Sequence, residues 1–137
     1  LFFAAFLMRL RYKFFWFCVV GGTGALIELF VFNVMFFLGL VFAVSKFIGL
    51  FLSLCFNFIT NRNFTFSARS EKMRVQAMRY AVVYAIAFLV NFFSSLLFVS
   101  FLNHSTLEAN IASALGVVCA IPVTFLGSLL WIFRNGK

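Results

Sequence analysis

Charged side chains are scarce in this sequence of 137 residues. Only 10% of its residues are charged, whereas a soluble domain carries about 25%. At the same time, 65% of the residues are hydrophobic. A chain with so little polar surface cannot stay dissolved in water. The composition therefore excludes an ordinary soluble domain and indicates that lipid surrounds most of the side chains.

The residue types that catalysis and metal binding need are also few. The sequence has three acidic residues and one histidine. It offers neither paired carboxylates for acid–base work nor a nucleophile beside a base. Its three cysteines, Cys18, Cys55 and Cys119, lie inside apolar segments without metal-ligand spacing. We therefore expect no enzymatic activity, no metal and no cofactor, and we interpret the cysteines as small packing residues.

Long apolar segments predict a single four-span transmembrane domain that covers residues 1–137. A helix needs about 20 residues to span the hydrocarbon core of a bilayer. The predicted spans are about 15–38, 42–60, 80–102 and 109–133. A basic hinge, 61–79, separates the second span from the third. We interpret residues 1–8 as an interfacial lead-in to the first span.

The basic residues indicate the orientation. The chain has 11 Lys and Arg residues, and all except Lys46 lie before the first span, in the hinge or after the fourth span. Because cytoplasmic loops carry an excess of Lys and Arg, both termini and the hinge should be cytoplasmic. The net charge of +8 then fits anionic headgroups rather than nucleic acid. We expect a multi-pass protein of the cytoplasmic (inner) membrane.

The two halves of the chain are similar. Arg11-Tyr12 recurs 68 positions later as Arg79-Tyr80, and Phe64-Thr65-Phe66 corresponds to Trp131-Ile132-Phe133 at an offset of 67. Each half would then be a helical hairpin inserted in the same direction, which is a parallel repeat. The predicted fold class is an all-α membrane protein with four transmembrane helices, arranged as two helical hairpins in parallel repeat, with both termini cytoplasmic.

Polar residues inside the spans form a candidate intramembrane site. Glu28 is the only charged residue of the first predicted span, and carboxylates within a membrane are rare and usually functional. It shares a helix face with Gly21, Gly24 and Ala25. Glu28 either makes an interhelical hydrogen bond or belongs to a proton- or cation-coupled site. The other polar residues either join helices or line a path for polar cargo. The predicted site comprises Glu28, Ser53, Asn57, Asn91 and Ser95.

The hinge offers cations for phosphate binding. Arg62 lies at the membrane boundary, and Arg69, Lys72 and Arg74 follow it. The forked guanidinium of arginine matches the oxygens of a phosphate group. These residues either bind the phosphate of a membrane lipid or serve only to set the topology.

The end of the second span has the most specific motif. Asn57-Phe58-x-x-Asn61-Arg62-x-Phe64-Thr65-Phe66, together with Gly21-x-x-Gly24 and a nearby acidic residue, resembles the GtrA-like family. The resemblance runs from Arg11 to Phe133. It implies a four-helix membrane protein of cell-surface polysaccharide synthesis. Such proteins translocate polyprenyl-phosphate-linked sugars, such as bactoprenol-linked glucose, or assist the enzymes that use them.

Aligning the family motif with this sequence assigns functional roles to individual residues. It adds Asn61 to the phosphate-binding set of Arg62, Arg69, Lys72 and Arg74. The sequence departs from the family at Phe64, where tryptophan is more usual, and the second half has no corresponding Asn-Arg pair. The departure leaves Arg62 as the single motif arginine.

The expected function is translocation of a polyprenyl-phosphate-linked sugar across the cytoplasmic membrane, with the prenyl tail remaining in lipid. One alternative is a small proton-coupled exporter of the small multidrug resistance type. Another is a non-transporting membrane partner subunit of a glycosyltransferase. Expected partners are the lipid-linked sugar, membrane lipid and a membrane glycosyltransferase, but no nucleic acid. A homodimer is plausible because four helices of this size enclose little room.

The predicted orientation can be tested by cysteine labelling. In a variant without the native cysteines, we expect Ser105→Cys to react with an impermeant maleimide in sealed right-side-out vesicles. Ser70→Cys should react only after permeabilisation, because it lies in the basic hinge. The reverse labelling pattern would contradict cytoplasmic termini.

Overall fold

Every secondary-structure element in the described part of the chain is helical. The computed structural model describes residues 2–102 and 106–134. Within these ranges it leaves out the side chains of Phe42, Ala43, Lys46, Phe92, Ser95, Thr106, Ala109, Asn110 and Ser113. The helices are α1 (Phe2–Phe37), α2 (Phe42–Thr60), α3 (Met73–Ser100) and α4 (Thr106–Gly127). Two five-residue π-helical segments, Asn61–Thr65 and Ser128–Ile132, directly continue α2 and α4.

Three helical segments among the described residues are long and apolar enough to cross a membrane. They are Phe2–Phe37, Met73–Ser100 and Ala114–Ile132. Most of the large apolar side chains on these helices point outward, as expected where lipid replaces water as the solvent. The all-helical prediction is confirmed. The count of four spans, the cytoplasmic termini and the parallel repeat stay predictions.

Two helix boundaries differ from those expected. The predicted lead-in is part of α1, which has 36 residues and is therefore about 54 Å long. No proline or turn sequence interrupts it between Phe2 and the first predicted span. The hinge is also shorter than 61–79, because the π segment extends the second helix to Thr65 and α3 already begins at Met73. The intervening loop thus covers only residues 66–72.

The first compact unit ends at Arg69 and consists of α1, α2 and the first π segment. Gly39, with φ of +90°, forms the turn between the helices. Ser45, Gly49 and Ser53 are buried at four-residue intervals along α2. Small residues at this spacing let two helix backbones approach closely in lipid. A Cβ atom on Gly49 would lie only 2.7 Å from the backbone carbonyl oxygen of Glu28.

The second compact unit begins at Ser70 and consists of α3, α4 and the second π segment. Gly127 lies against Val83, where an added Cβ would contact the valine methyl groups. Arg79 forms an ion pair with Glu71, at 2.8 Å between Nη1 and Oε1. The same Nη1 donates to the Trp131 carbonyl at 3.3 Å. Arg79 therefore ties the start of α3 to the end of this unit.

The close contact in the first hairpin predicts a difference between two glycines. Gly49→Ala should lower the stability by about 1–3 kcal/mol, because the new methyl group meets backbone atoms that cannot move aside. Gly21→Ala is the matched control, since nothing lies within 4 Å of its Cβ position. Thermal unfolding in detergent compares the two variants. Equal melting temperatures would contradict the packing described here.

Candidate functional site

A stripe of buried polar residues runs along α2 into the π segment. It consists of Ser53, Asn57, Asn61 and Thr65, whose exposed fractions are 4%, 9%, 1% and 5%. In an α-helix of 3.6 residues per turn, residues four apart drift gradually around the axis. The wider π turn, with its i→i+5 bonds, reverses that drift. The π segment therefore keeps Asn61 and Thr65 in line with the residues before them.

Close helix packing positions the first two residues of this polar stripe. Ser53 Oγ donates a hydrogen bond to the Gly24 carbonyl on α1, at 2.7 Å. The Asn57 amide lies directly over Gly24, where any larger residue would collide with it. Gly24 thus supplies both the space for Asn57 and the acceptor for Ser53. At this glycine the polar stripe faces α1.

Three oxygen atoms of the polar stripe are buried without a partner. Asn57 Oδ1, Asn61 Oδ1 and Thr65 Oγ1 have no hydrogen-bond partner among residues 2–102 and 106–134. An unsatisfied buried polar group costs about 1–3 kcal/mol. Two of the three atoms are carbonyl oxygens, which only accept hydrogen bonds. Hydroxyl or N–H donors of a ligand can therefore complement them.

The end of the first hairpin is fixed by aromatic packing. The Phe66 N–H donates to the Asn61 carbonyl at 2.9 Å, and the Ala68 N–H donates to the Arg62 carbonyl at 2.7 Å. Ser67, with φ of 49°, reverses the chain between them. The fully buried Phe66 ring packs edge-on against Phe17 of α1, with centroids 6.2 Å apart. These contacts hold the end of the π segment against the middle of α1, at Phe17.

Two cations of the first unit, Lys13 and Arg62, lie at the same end of the hairpin. Lys13 Nζ lies 5.8 Å from the Phe66 ring centroid, within the range of a cation–π interaction. Arg62 is half-buried, and its Nη2 donates to the Arg69 carbonyl at 3.4 Å. Arg69, Lys72 and Arg74 have exposed side chains. Among the predicted phosphate-binding residues, Asn61 is the one that belongs to the buried polar stripe.

The predicted intramembrane residues are distributed over both units. Glu28 is half-buried on α1, and of its expected helix face only Gly24 is also turned inward, whereas Gly21 and Ala25 are exposed. Asn91 is half-buried on α3 in the second unit. The Ser95 side chain lies outside the described residues. Ser53, Asn57 and Asn61 therefore lie in one stripe of the first unit, whereas Asn91 belongs to the second unit.

Two further buried polar residues, one in each unit, were not singled out from the sequence. Thr65 continues the four-residue spacing of the polar stripe, but the span was expected to end near residue 60. Ser128 begins the second π segment, and its buried Oγ has no partner in the described part of the chain. It occupies the position 67 residues after Asn61. The similarity between Phe64-Thr65-Phe66 and Trp131-Ile132-Phe133 was the signal that could have indicated it.

A groove of about 480 Å³ lies between α1 and the end of α2. It shares Thr65 with the polar stripe. Six of its nine lining residues are aromatic or aliphatic, and the other three are threonines. The groove is lined by Tyr12, Trp16, Val19, Val20, Thr23, Phe56, Thr60, Phe64 and Thr65.

Three apolar helical segments of membrane-spanning length, with most of their large apolar side chains exposed, define a multi-pass membrane protein. The family model described as GtrA/DPMS, transmembrane domain, matches residues 16–133. The chain therefore belongs to the GtrA/DPMS transmembrane-domain family, which confirms the resemblance noted in the sequence. Membership associates it with processes that involve lipid-linked sugars. A comparison with curated proteins found no match.

Removing one of the unpartnered oxygens should affect stability and function in opposite ways. Asn61→Leu should leave the melting temperature unchanged or raise it, because it removes a buried acceptor that no protein group satisfies. It should also abolish activity if that acceptor serves a ligand. Ser53→Ala is the control: it breaks the hydrogen bond to Gly24 and should cost about 1 kcal/mol. A larger loss of stability in Asn61→Leu than in Ser53→Ala would contradict this assignment.

Proposed function

We propose that the protein translocates a polyprenyl-phosphate-linked sugar from the cytoplasmic to the outer leaflet of the inner membrane. The sugar would serve the synthesis or modification of a cell-surface polysaccharide. The observation that carries this proposal is the polar stripe with its three unpartnered oxygens, which includes Asn61, the residue before Arg62. In this proposal the chain has four spans, cytoplasmic termini and no enzymatic step of its own.

Arg62 binds the phosphate in this proposal. The residue is half-buried at the end of the helix that carries the polar stripe, and its Nη2 makes an exposed contact with the Arg69 carbonyl, so the guanidinium can reach a phosphate. Hydrogen bonds between charged groups are about twice as strong as neutral ones. Arg69, Lys72 and Arg74 are exposed and would attract the anionic lipid before it reaches Arg62.

The polar stripe receives the sugar. Sugar hydroxyl groups can donate to Asn57 Oδ1 and Asn61 Oδ1, and Thr65 Oγ1 can both donate and accept. Each such bond removes the cost of an unsatisfied buried oxygen, so binding is favoured at the site itself. Asn91 and Ser95 of α3 would give further partners to the hydroxyl groups as the headgroup crosses. Glu28 would couple or gate the movement.

Replacing the motif arginine tests the phosphate role. Arg62→Ala should lower the rate of lipid-linked sugar translocation in proteoliposomes by about ten- to a hundredfold, the equivalent of losing a charged hydrogen bond of about 1.5–3 kcal/mol. Arg134→Ala removes an exposed cation at the other end of the chain and should leave the rate unchanged.

Two outcomes would contradict the proposal. If Arg62→Ala translocates as fast as the original chain, the phosphate role is wrong. If the original chain moves no labelled lipid but co-purifies with a glycosyltransferase, it acts as a partner subunit instead of a translocator. Both variants must reach the membrane in equal amounts, which immunoblotting can establish.

A further inference from the structure

The groove beside the polar stripe has walls that suit a hydrocarbon chain. Its α1 wall extends from Tyr12 to Thr23, which is about 16 Å of helix. The facing wall consists of residues from the end of α2 and the π segment, between Phe56 and Thr65. At the Thr23 end the threonine hydroxyl donates to the carbonyl of Val19 in its own helix, at 2.9 Å. The hydroxyl hydrogen at that end is therefore already used within α1.

Basic residues lie close in the chain to the opposite end of the groove. Arg62 belongs to the same π segment as Phe64 and Thr65, and Lys13 follows Tyr12 in α1. A ligand that fits both ends carries an anionic head at the basic end and a run of apolar groups toward Thr23. The charge thus favours a lipid phosphate, with its chain along the groove.

The shape of the groove suits an extended hydrocarbon chain. Its α1 wall is about 16 Å long, so a single chain can lie along it. A two-chain phospholipid could place one of its chains there and leave the other in the surrounding lipid.

From these features we infer that the groove between α1 and the end of α2 binds the first isoprene units of the polyprenyl phosphate. This inference rests on the proposed function, and it revises the expectation that the whole prenyl tail remains in lipid. Trp16, Phe56 and Val20 would pack against the chain. The anchored tail would keep the sugar beside the polar stripe, which shares Thr65 with the groove.

Photolabelling with filled-groove variants tests the inference. The probe is a polyprenyl phosphate with a diazirine on the isoprene unit next to the phosphate. Thr60→Trp and Thr23→Phe each place a bulky ring in the groove, and labelling of the peptides that line it should fall about tenfold. Ile59→Trp is the matched control, because Ile59 is exposed and lies outside the groove. Mass spectrometry locates the label, and size-exclusion chromatography verifies that each variant is folded.

The outcomes separate this inference from the proposed function. Equal labelling of the original chain and both folded filled-groove variants would overturn the groove assignment. So would equal labelling by phosphatidic acid with a diazirine in one acyl chain, since that result indicates only nonselective lipid contact. If the groove is labelled selectively but proteoliposomes translocate no lipid-linked sugar, the groove assignment holds and the translocation proposal fails.

Discussion

The first hairpin depends on the close approach of two helix backbones at Gly24 and Gly49. In lipid, apolar side chains gain nothing by leaving the solvent, so van der Waals contact and interhelical hydrogen bonds must hold helices together. Gly49 brings α2 against the backbone of α1 at Glu28, and Ser53 adds a hydrogen bond to the Gly24 carbonyl. The same contact turns the polar stripe toward α1. The packing that stabilises the hairpin thus also forms the candidate site.

The π segment lets the second helix both pack against α1 and carry the candidate site. It keeps Asn61 and Thr65 in line with Asn57, while Phe66 packs on Phe17 and fixes the end of the helix. Oxygen atoms that lack partners in the described part of the chain reduce stability, and the rigid backbone contacts offset that loss. Sites that cost stability in this way are where function is expected. The second unit has a π segment of the same length, but there Ser128 takes the place of the asparagine.

Much of the architecture could be predicted from composition and charge, because apolar length and clustered cations are properties of the sequence itself. The sequence could not predict whether an individual apolar side chain points into the protein or out toward the lipid. Leu26 and Phe17 are both strongly apolar, yet Leu26 is 68% exposed and Phe17 is 7% exposed, since lipid accepts either side chain equally well. Asn57 was identified as a polar residue inside a span, and Asn61 was identified from the motif. Thr65 was missed because a regular α-helix gives no reason to expect a π turn, which depends on tertiary packing.

Infrared spectroscopy of protein labelled with carbon-13 at the asparagine side-chain carbonyl tests the central claim most directly. The claim is that the unpartnered oxygens of Asn57 and Asn61 accept hydrogen bonds from the sugar. Adding a polyprenyl-phosphate-linked sugar should shift the labelled carbonyl band to lower frequency, and Asn61→Leu should remove part of that shift. A band that stays unchanged while radiolabelled ligand is bound would contradict the account.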